Sequence, residues 1–403
     1  MSGGGLMQLV AYGAQDVYLT GNPQITFFKH LYKRHTNFSM QSIQNTFSGS
    51  VGFDRKVTAT VARTGDLITK CYVQATLPAV TASGASGFAW VEEVGHFLIK
   101  SVEVEIGGQR IDKHYGTWLS IWSSLTTTKG HESGYNSMIG NVASLTTTGA
   151  ADTETLAAYE LYIPLQFWFC RHEGLALPLI ALQYHEVKLS VEFESFTNLV
   201  SASKPAYASV PSLTDASLYI DYIFLDTDER RKFAQTSHEY LIEQLQFTGD
   251  ESLSGVNNKV KLSFNHPCKE LIWVVQSGTD RKGNNYTDSA TPATGVNPTS
   301  TAKLQLNGHD RFSERKGRYF NEVQPYQHHT NIPATGINVY SFALNPEMHQ
   351  PSGTANMSRI DNATLQLTIT SAANNDDAFV KIYATNFNVL RVMSGMGGLA
   401  YSN

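Results

Sequence analysis

Thirteen histidines in a 403-residue chain are the first side chains to test for chemistry. A β-barrel metal site draws two imidazoles from one strand face, and an HxH pair supplies them because alternate strand residues point the same way. No HxH occurs here. His328 and His329 are adjacent, so in a strand their rings would diverge. His266 with Cys268, and Cys170 with His172, have i,i+2 spacing but no second pair to complete a tetrahedral site. They read as structural or surface residues. The phosphate-binding patterns GxGxxG and GxxxxGK[ST] and the nucleophile pattern GxSxG are absent. Glu92-Glu93 and Asp376-Asp377 are neighbours in sequence, and nothing pairs them across a cleft for glycoside hydrolysis. The expectation is no catalytic residue, no cofactor and no metal.

Two weaker signals remain. FFKHLYKRH (27–35) interleaves Phe27, Phe28 and Tyr32 with Lys29, Lys33 and Arg34, which suits phosphate contact or, preferably, an interface anchor. Asn37, Asn285, Asn356 and Asn362 each begin an N-glycosylation triplet. Without secretory targeting those triplets carry little weight, and Asn285 is the acceptor expected to be exposed.

The bulk composition narrows the class. Apolar residues make up 41% of the chain, with 20 Phe, 19 Tyr and 5 Trp, enough for two or three cores. Charged residues are only 16%, against roughly 25% in an average soluble domain. Ser, Thr, Asn and Gly replace them, as suits strands and turns, and also a surface covered by neighbours. A net charge of −5 argues against general phosphate neutralisation, so no direct nucleic-acid contact is expected. Cys71, Cys170 and Cys268 are too few and too far apart for a disulfide framework or zinc knuckle, and point to a reducing compartment. No apolar run approaches the ~18 residues of a membrane span. MSGGGLMQLVAYGAQD lacks signal-peptide features, and Ser2 removes the glycine that myristoylation needs, so a soluble, intracellular product is expected.

Period-two alternation dominates the rest. In SVEVEIGGQRI, Val102, Val104 and Ile106 face one way, Glu103 and Glu105 the other, and Gly107-Gly108 supplies a tight turn. NKVKLSFNH and HEVKLSVEF alternate likewise, predicting half-buried antiparallel strands. The halves repeat. VEVEIGGQR (102–110) matches AKLQLNGHD (302–310), HEVKLSVEF (185–193) matches DNATLQLTI (361–369), and DASLYIDYIFL matches DAFVKIYATNF, in the same order. Between them, DTDERRKFAQ predicts a short helix with Asp226 at its N-cap, Glu229 as capping partner and an Asp228–Lys232 pair. Two polar stretches, 126–155 and 277–302, read as long surface loops.

One dense stretch, QPSGTANMSRIDNATLQL (350–367), is resolved by the repeat. Ala363, Leu365, Leu367 and Ile369 should point inward, with Thr364, Gln366 and Thr368 outward. Pro351 and Gly353 punctuate the chain, while Ser352 and Thr354 can bond local backbone. Arg359 and Asp361 are expected on one strand face, with Arg359 pinning the loop or an adjoining subunit.

AQDVYLTGNPQITFFK (14–29), LYIPLQFWFCRHEGLALPLIALQYHEVKLSVEF (161–193), DYIFLDTDERRKF (221–233), QPSGTANMSRID (350–361) and NVLRVMSGMGGLAYSN (388–403) resemble the major capsid proteins of nucleocytoplasmic large DNA viruses. The resemblance implies an all-β double jelly roll: two tandem eight-stranded antiparallel sandwiches with short connecting helices and long surface loops. The expected organisation is an N-terminal inner-face segment (1–25), a first jelly roll (26–225), a linker helix (226–240) and a second jelly roll (241–403). It further implies homotrimers of pseudo-hexagonal outline, jelly rolls upright on the capsid surface, tiling an icosahedral shell over an internal membrane, with minor capsid proteins as partners. The loops 126–155 and 277–302 would be outward towers. Assembly in the host cytoplasm is expected. Candidate assembly residues are Asn22, Pro23, Phe27, Phe28 and Arg34 in the first specific block, and Pro351, Ser352, Gly353, Thr354, Arg359 and Asp361 in the fourth. The alternatives are a carbohydrate-binding spike or lectin-like sandwich, contacting sugar through Tyr135 or Tyr286, and a glycosidase, which requires a carboxylate pair about 5–9 Å apart.

Overall fold

A computed structural model describes residues 3–83, 87–146, 155–213, 215–276, 283, 286, 296–370, 373 and 378–402. The chain divides into two compact units, Met1–Asn37 and Phe38–Asn403. The first consists of short helical turns, Gly4–Val10, Ala14–Asp16 and Val17–Thr20, followed by extended chain. It buries none of its apolar side chains.

The larger unit contains two sandwiches of the same strand order. In the first, one sheet runs Phe38–Thr46, Ala216–Leu225, Leu67–Leu77, Leu177–Pro178, with Tyr159–Pro164 also on the Leu67–Leu77 strand. The facing sheet runs Lys56–Thr60, Val187–Phe193, Ile99–Ile106, Gln109–Tyr115. In the second, one sheet runs His238–Ser252, Phe379–Met393, Pro267–Gln276, Ile337–Ser341, with the short strands Ala355–Asn356 and Met396–Leu399 added. Its partner runs Asn257–Leu262, Ala363–Ile369, Thr299–Leu306, His309–Asp310, with Arg315–Lys316 at the Thr299–Leu306 strand. All these pairings are antiparallel. This is a double jelly roll.

Register shows why the alternation reads as duplication. Val191 lies opposite Val57 on one side and Val102 on the other. Leu365 lies opposite Val260 and Leu304 in the second sandwich. All six are buried, so each copy stacks an apolar rung across three strands. Ala363, Leu365, Leu367 and Ile369 are buried, and Thr364, Gln366 and Thr368 are half exposed, as the repeat predicts. The turns match too. Gly107-Gly108 and Asn307-Gly308 all have positive φ (59°, 82°, 49°, 83°), the left-handed pair that a two-residue hairpin requires.

The expected helix spans Thr227–Gln235, with the Asp226 side chain accepting the Thr227 N–H. The Asp228–Lys232 pair does not form among the described residues; Arg230 instead reaches Asp66, at 2.9 Å. The polar stretch 126–155 is not simply a loop. Lys129–Met138 and Ala143–Thr146 are helical. The first starts after Thr128, whose hydroxyl lies 2.7 Å from His131 Nδ1, is braced by Lys129–Glu132 at 2.7 Å, and is followed by Gly140 at φ 75°. Its Gly, Ser and Asn content hid it, because those residues favour turns unless local caps and contacts override them.

The element with most bearing on the whole is the helix Gly116–Thr126. Trp118, Ile121, Trp122 and Leu125 project from it into a core shared with Ile272, Val274, Ile337, Val339 and Tyr383 of the second sandwich. Buried on most of its circumference, with Ser120 and Ser123 among the buried side chains, it is a wedge between the jelly rolls. Among the described residues no helix is long and apolar enough to cross a membrane.

Candidate functional site

The sequence-predicted assembly residues fall into two places. In the N-terminal unit, Asn22 has positive φ (51°) and precedes Pro23, fixing a bend. Phe27, Phe28 and Arg34 are all exposed, Phe28 at 99%. Leu6, Leu9, Val10, Leu19 and Leu31 are exposed as well, so the unit is an apolar segment with three cations (Lys29, Lys33, Arg34) against one anion, Asp16.

The second group lies on the loop 350–361. Gly353 has φ 135°, and a Cβ there would stand 2.8 Å from the Phe342 carbonyl oxygen. Ser352 ties the loop down: its hydroxyl accepts the Asn345 N–H at 3.0 Å and its carbonyl accepts the Leu344 N–H at 3.3 Å. The Thr354 hydroxyl makes no such bond among the described residues, and Pro351 is exposed. Residues Met357–Arg359 form a 3₁₀ turn capped by Asn356, whose side chain accepts the Ser358 N–H at 3.1 Å. Arg359 and Asp361 therefore do not share a strand face. The strand begins only at Ala363, because Met357 must turn inward as a buried anchor and the chain must rise out of that turn first. Arg359 is exposed and pins no part of the loop among the described residues. Asn362 is exposed, and its backbone exchanges bonds with Asn307 at the hairpin turn. Asn285 lies outside the described residues.

Of the tyrosines proposed for sugar contact, Tyr286 turns inward and Tyr135 is half-buried. Tyr286 is 2% exposed and its hydroxyl donates to Ser120 Oγ at 3.4 Å. The Tyr135 hydroxyl lies 2.8 Å from Nε2 of the buried His96, and burial pushes its acidity well down. Tyr286 therefore offers no ring for sugar stacking. Among the described residues no group of three or more His, Cys, Asp or Glu is arranged to hold a metal ion.

The built polar site is one that motif reading missed, at the junction of the two jelly rolls. Glu243 accepts Lys269 Nζ at 2.8 Å on one oxygen and Arg171 Nη1 at 3.0 Å on the other. Arg171 comes from the first jelly roll and lies 3.9 Å above the Trp122 ring. Lys269 also donates to the Met348 carbonyl at 3.1 Å. Burial by itself would raise the Glu243 carboxyl, but His349, Arg171 and Lys269 outweigh it and hold it at about 2. Next to Lys269, Glu270 meets His329 Nε2 at 2.9 Å, and His329 Nδ1 meets Glu347 at 2.9 Å. Burial opposes the charge on His329, yet the two carboxylates, Glu270 foremost, raise it to about 9. The signal that would have found this cluster is Lys269-Glu270 in an otherwise apolar strand, PCKELIWVVQ: a buried charge persists only with partners.

The C-terminus closes the other side. Tyr184 N–H donates to Gly395 O at 2.9 Å, and a Cβ on Gly397 would lie 2.6 Å from Leu182 Cδ2, so the last hairpin fits tightly against the first jelly roll. Arg63 holds that segment through the Leu182 and Gln183 carbonyls, both at 2.7 Å.

Two jelly rolls of one strand order, locked by an apolar wedge and buried ion pairs, define a class: the double jelly-roll building blocks of virus shells. Residues 26–226 match the family described as "Major capsid protein N-terminus", and residues 229–398 match "Large eukaryotic DNA virus major capsid protein". The chain belongs to the major capsid protein family of large eukaryotic DNA viruses. It is 57% identical to the major capsid protein of Pyramimonas orientalis virus, with 100% of both chains covered. The solved quasi-atomic capsid of PBCV-1 superposes with a TM-score of 0.80 at 41% identity, covering 94% of this chain and 100% of that one. The Faustovirus major capsid protein, at 14% identity and TM-score 0.79 over 95% of this chain and 94% of that one, shows the fold alone. The chain is a structural capsid protein and not an enzyme.

Proposed function

We propose that this protein forms homotrimeric capsomers of pseudo-hexagonal outline that tile an icosahedral shell over an internal membrane. The observation that carries this reading is the repeated sheet order of the two jelly rolls and their rigid fusion. Two similar units in each of three copies give six similar edges, the shape that packs a curved hexagonal lattice. An obligate trimer of this kind buries on the order of 2,000–5,000 Å² or more, which suits a chain so poor in charge. Contacts between capsomers can each be weak, because a closed lattice multiplies them.

In this reading the chain divides into an inner-face segment (1–25), jelly rolls at 26–225 and 241–403, and a linker at 226–240. These boundaries shift in the structure: the larger compact unit begins at Phe38, the helix ends at Gln235, and the first strand of the second jelly roll already begins at His238. The exposed apolar and basic character of residues 1–37 supports contact with minor capsid proteins near the membrane. Asn22, Pro23, Phe27, Phe28 and Arg34 are the contact candidates there, and Pro351, Gly353, Thr354, Arg359 and Asp361 on the 350–361 loop. Of the two expected tower loops, 126–155 and 277–302, the second is corrected at its end, since 299–302 begin the strand Thr299–Leu306, and Tyr286 within it is buried. Residues 277–282, 284–285 and 287–295 lie outside the described residues, and the remaining loop surface would face outward. Assembly would proceed in the host cytoplasm, without direct contact with nucleic acid. Analytical ultracentrifugation of the purified chain tests the proposal: a trimer is expected, and a stable monomer with no tendency to assemble would refute it.

A further inference from the structure

Two of the three cysteines, far apart in sequence, are neighbours in the fold. Cys71 lies in the strand Leu67–Leu77, opposite Ile220, and is buried. Just past the adjoining strand Tyr159–Pro164, the Leu165 N–H donates to the Cys71 carbonyl at 2.9 Å, so the chain is tied down at Cys71 before it turns. The helical turn Trp168–Arg171 then packs back on the strand, with the Cys170 N–H donating to the Phe167 carbonyl at 2.9 Å. Cys170 packs against the core that contains Cys71, and the two thiols hydrogen-bond to each other. We propose that Cys71 and Cys170 are a redox pair, closing to an intrachain disulfide when the protein meets a small disulfide such as oxidised glutathione.

The two thiols have unequal parts in this exchange. Cys170 is partly exposed, so an oxidant in solution can reach it. Cys71 is enclosed by the core, its S–H is directed at the Thr69 carbonyl at 3.7 Å, and burial pushes its thiol well up. It therefore resolves the exchange rather than starting it. In the first step the Cys170 thiol releases its proton and its sulfur attacks one sulfur of glutathione disulfide, whose S–S bond breaks to free one glutathione. In the second step the Cys71 sulfur attacks the Cys170 sulfur of the mixed disulfide. The second glutathione leaves and takes up the Cys71 proton. Two protein thiols are thus oxidised while one glutathione disulfide is reduced to two thiols.

Cys268 is the internal contrast. It lies in the second jelly roll, is fully buried, and donates to the Glu270 carbonyl at 3.1 Å. The bond would also act on the junction. Arg171, the residue after Cys170, bonds Glu243 and stacks on Trp122, so fastening Cys170 to the strand stiffens the base of that contact.

The test is incubation of the full-length protein with glutathione disulfide, alkylation of the remaining thiols under denaturing conditions, and peptide mapping by mass spectrometry. A covalent link between the peptides holding Cys71 and Cys170 is expected, reversed by dithiothreitol, with Cys268 alkylated. The linked form should melt about 4 °C or more above the reduced form, because the bond closes a loop of about a hundred residues. Cys170→Ser, at a partly exposed position, should abolish both the link and the rise. Cys71→Ala should instead stop at a glutathione adduct on Cys170. Full alkylation of Cys71 and Cys170 after the oxidant would overturn the proposal. So would a lasting glutathione adduct on Cys170 in the parent, or links between chains through Cys170.

Discussion

His329 Nε2 lies 2.9 Å from Glu270 Oε2, and neither side chain is exposed to solvent. His329 reaches from the segment after the helix Gln324–His328 to the middle of the strand Pro267–Gln276, and it bridges on to Glu347. One imidazolium thereby joins three separate parts of the second jelly roll beside its junction with the first.

A pH dependence follows. His329 has a folded pKa raised to about 9 from 6.5, so its contribution is fully present below 6.5 and is lost as pH rises through about 9. Glu243, lowered from 4.5 to about 2, acts oppositely: its contribution is present above 4.5 and lost as pH falls towards 2. The melting temperature should therefore be highest between these limits. His329→Gln should flatten the alkaline limb and, by stranding Glu270, cost about 3–5 kcal/mol near neutral pH. An unchanged alkaline limb in scanning calorimetry would count against the assignment.

Trp122 carries the wedge and the Arg171 contact together. Trp122→Ala should cost about 3–5 kcal/mol. It should also raise hydrogen exchange along 271–275 more than along 187–193, because the former strand packs on the wedge helix. Equal exchange in both segments would deny the helix its bridging role.

Leu365 is buried in the central rung of the second jelly roll. Leu365→Ala should cost about 2–5 kcal/mol in a urea titration. Leu365→Asp, placing an unpaired charge there, should yield no soluble protein.

Gly353 occupies a left-handed conformation against the Phe342 carbonyl. Gly353→Ala should destabilise by more than about 1 kcal/mol, since both φ and the close approach oppose a side chain. A melting temperature equal to the parent's would show that the loop can move aside.

Arg359 separates folding from assembly. It is exposed and without a partner among the described residues, so Arg359→Ala should leave the dissociated chain's stability within about ±0.5 kcal/mol. If it faces a neighbouring copy, the same change should lower the dissociation temperature of the assembled protein. Unchanged dissociation would remove Arg359 from the interface.

Much of the architecture was legible in the chain because strands carry their orientation in alternate residues. Val187, Leu189 and Val191 announced one buried face, and Leu365 and Leu367 repeated it. The helix Thr227–Gln235 was legible because Asp226 is a local signal, acting on the next residue. The helix Lys129–Met138 was not, because its composition favours turns and its support comes from caps read only in three dimensions.

Alternation, turn residues and duplication thus determined two antiparallel sandwiches from sequence alone, since each depends on neighbours one or two positions away. Only the tertiary structure decided how the two are fused. Arg171 meets Glu243 across 72 residues, and Glu270 meets His329 across a similar span of intervening chain. Contacts over such separations leave no periodicity in the sequence. They form because burying a charge is costly until a partner from another part of the fold arrives to share it.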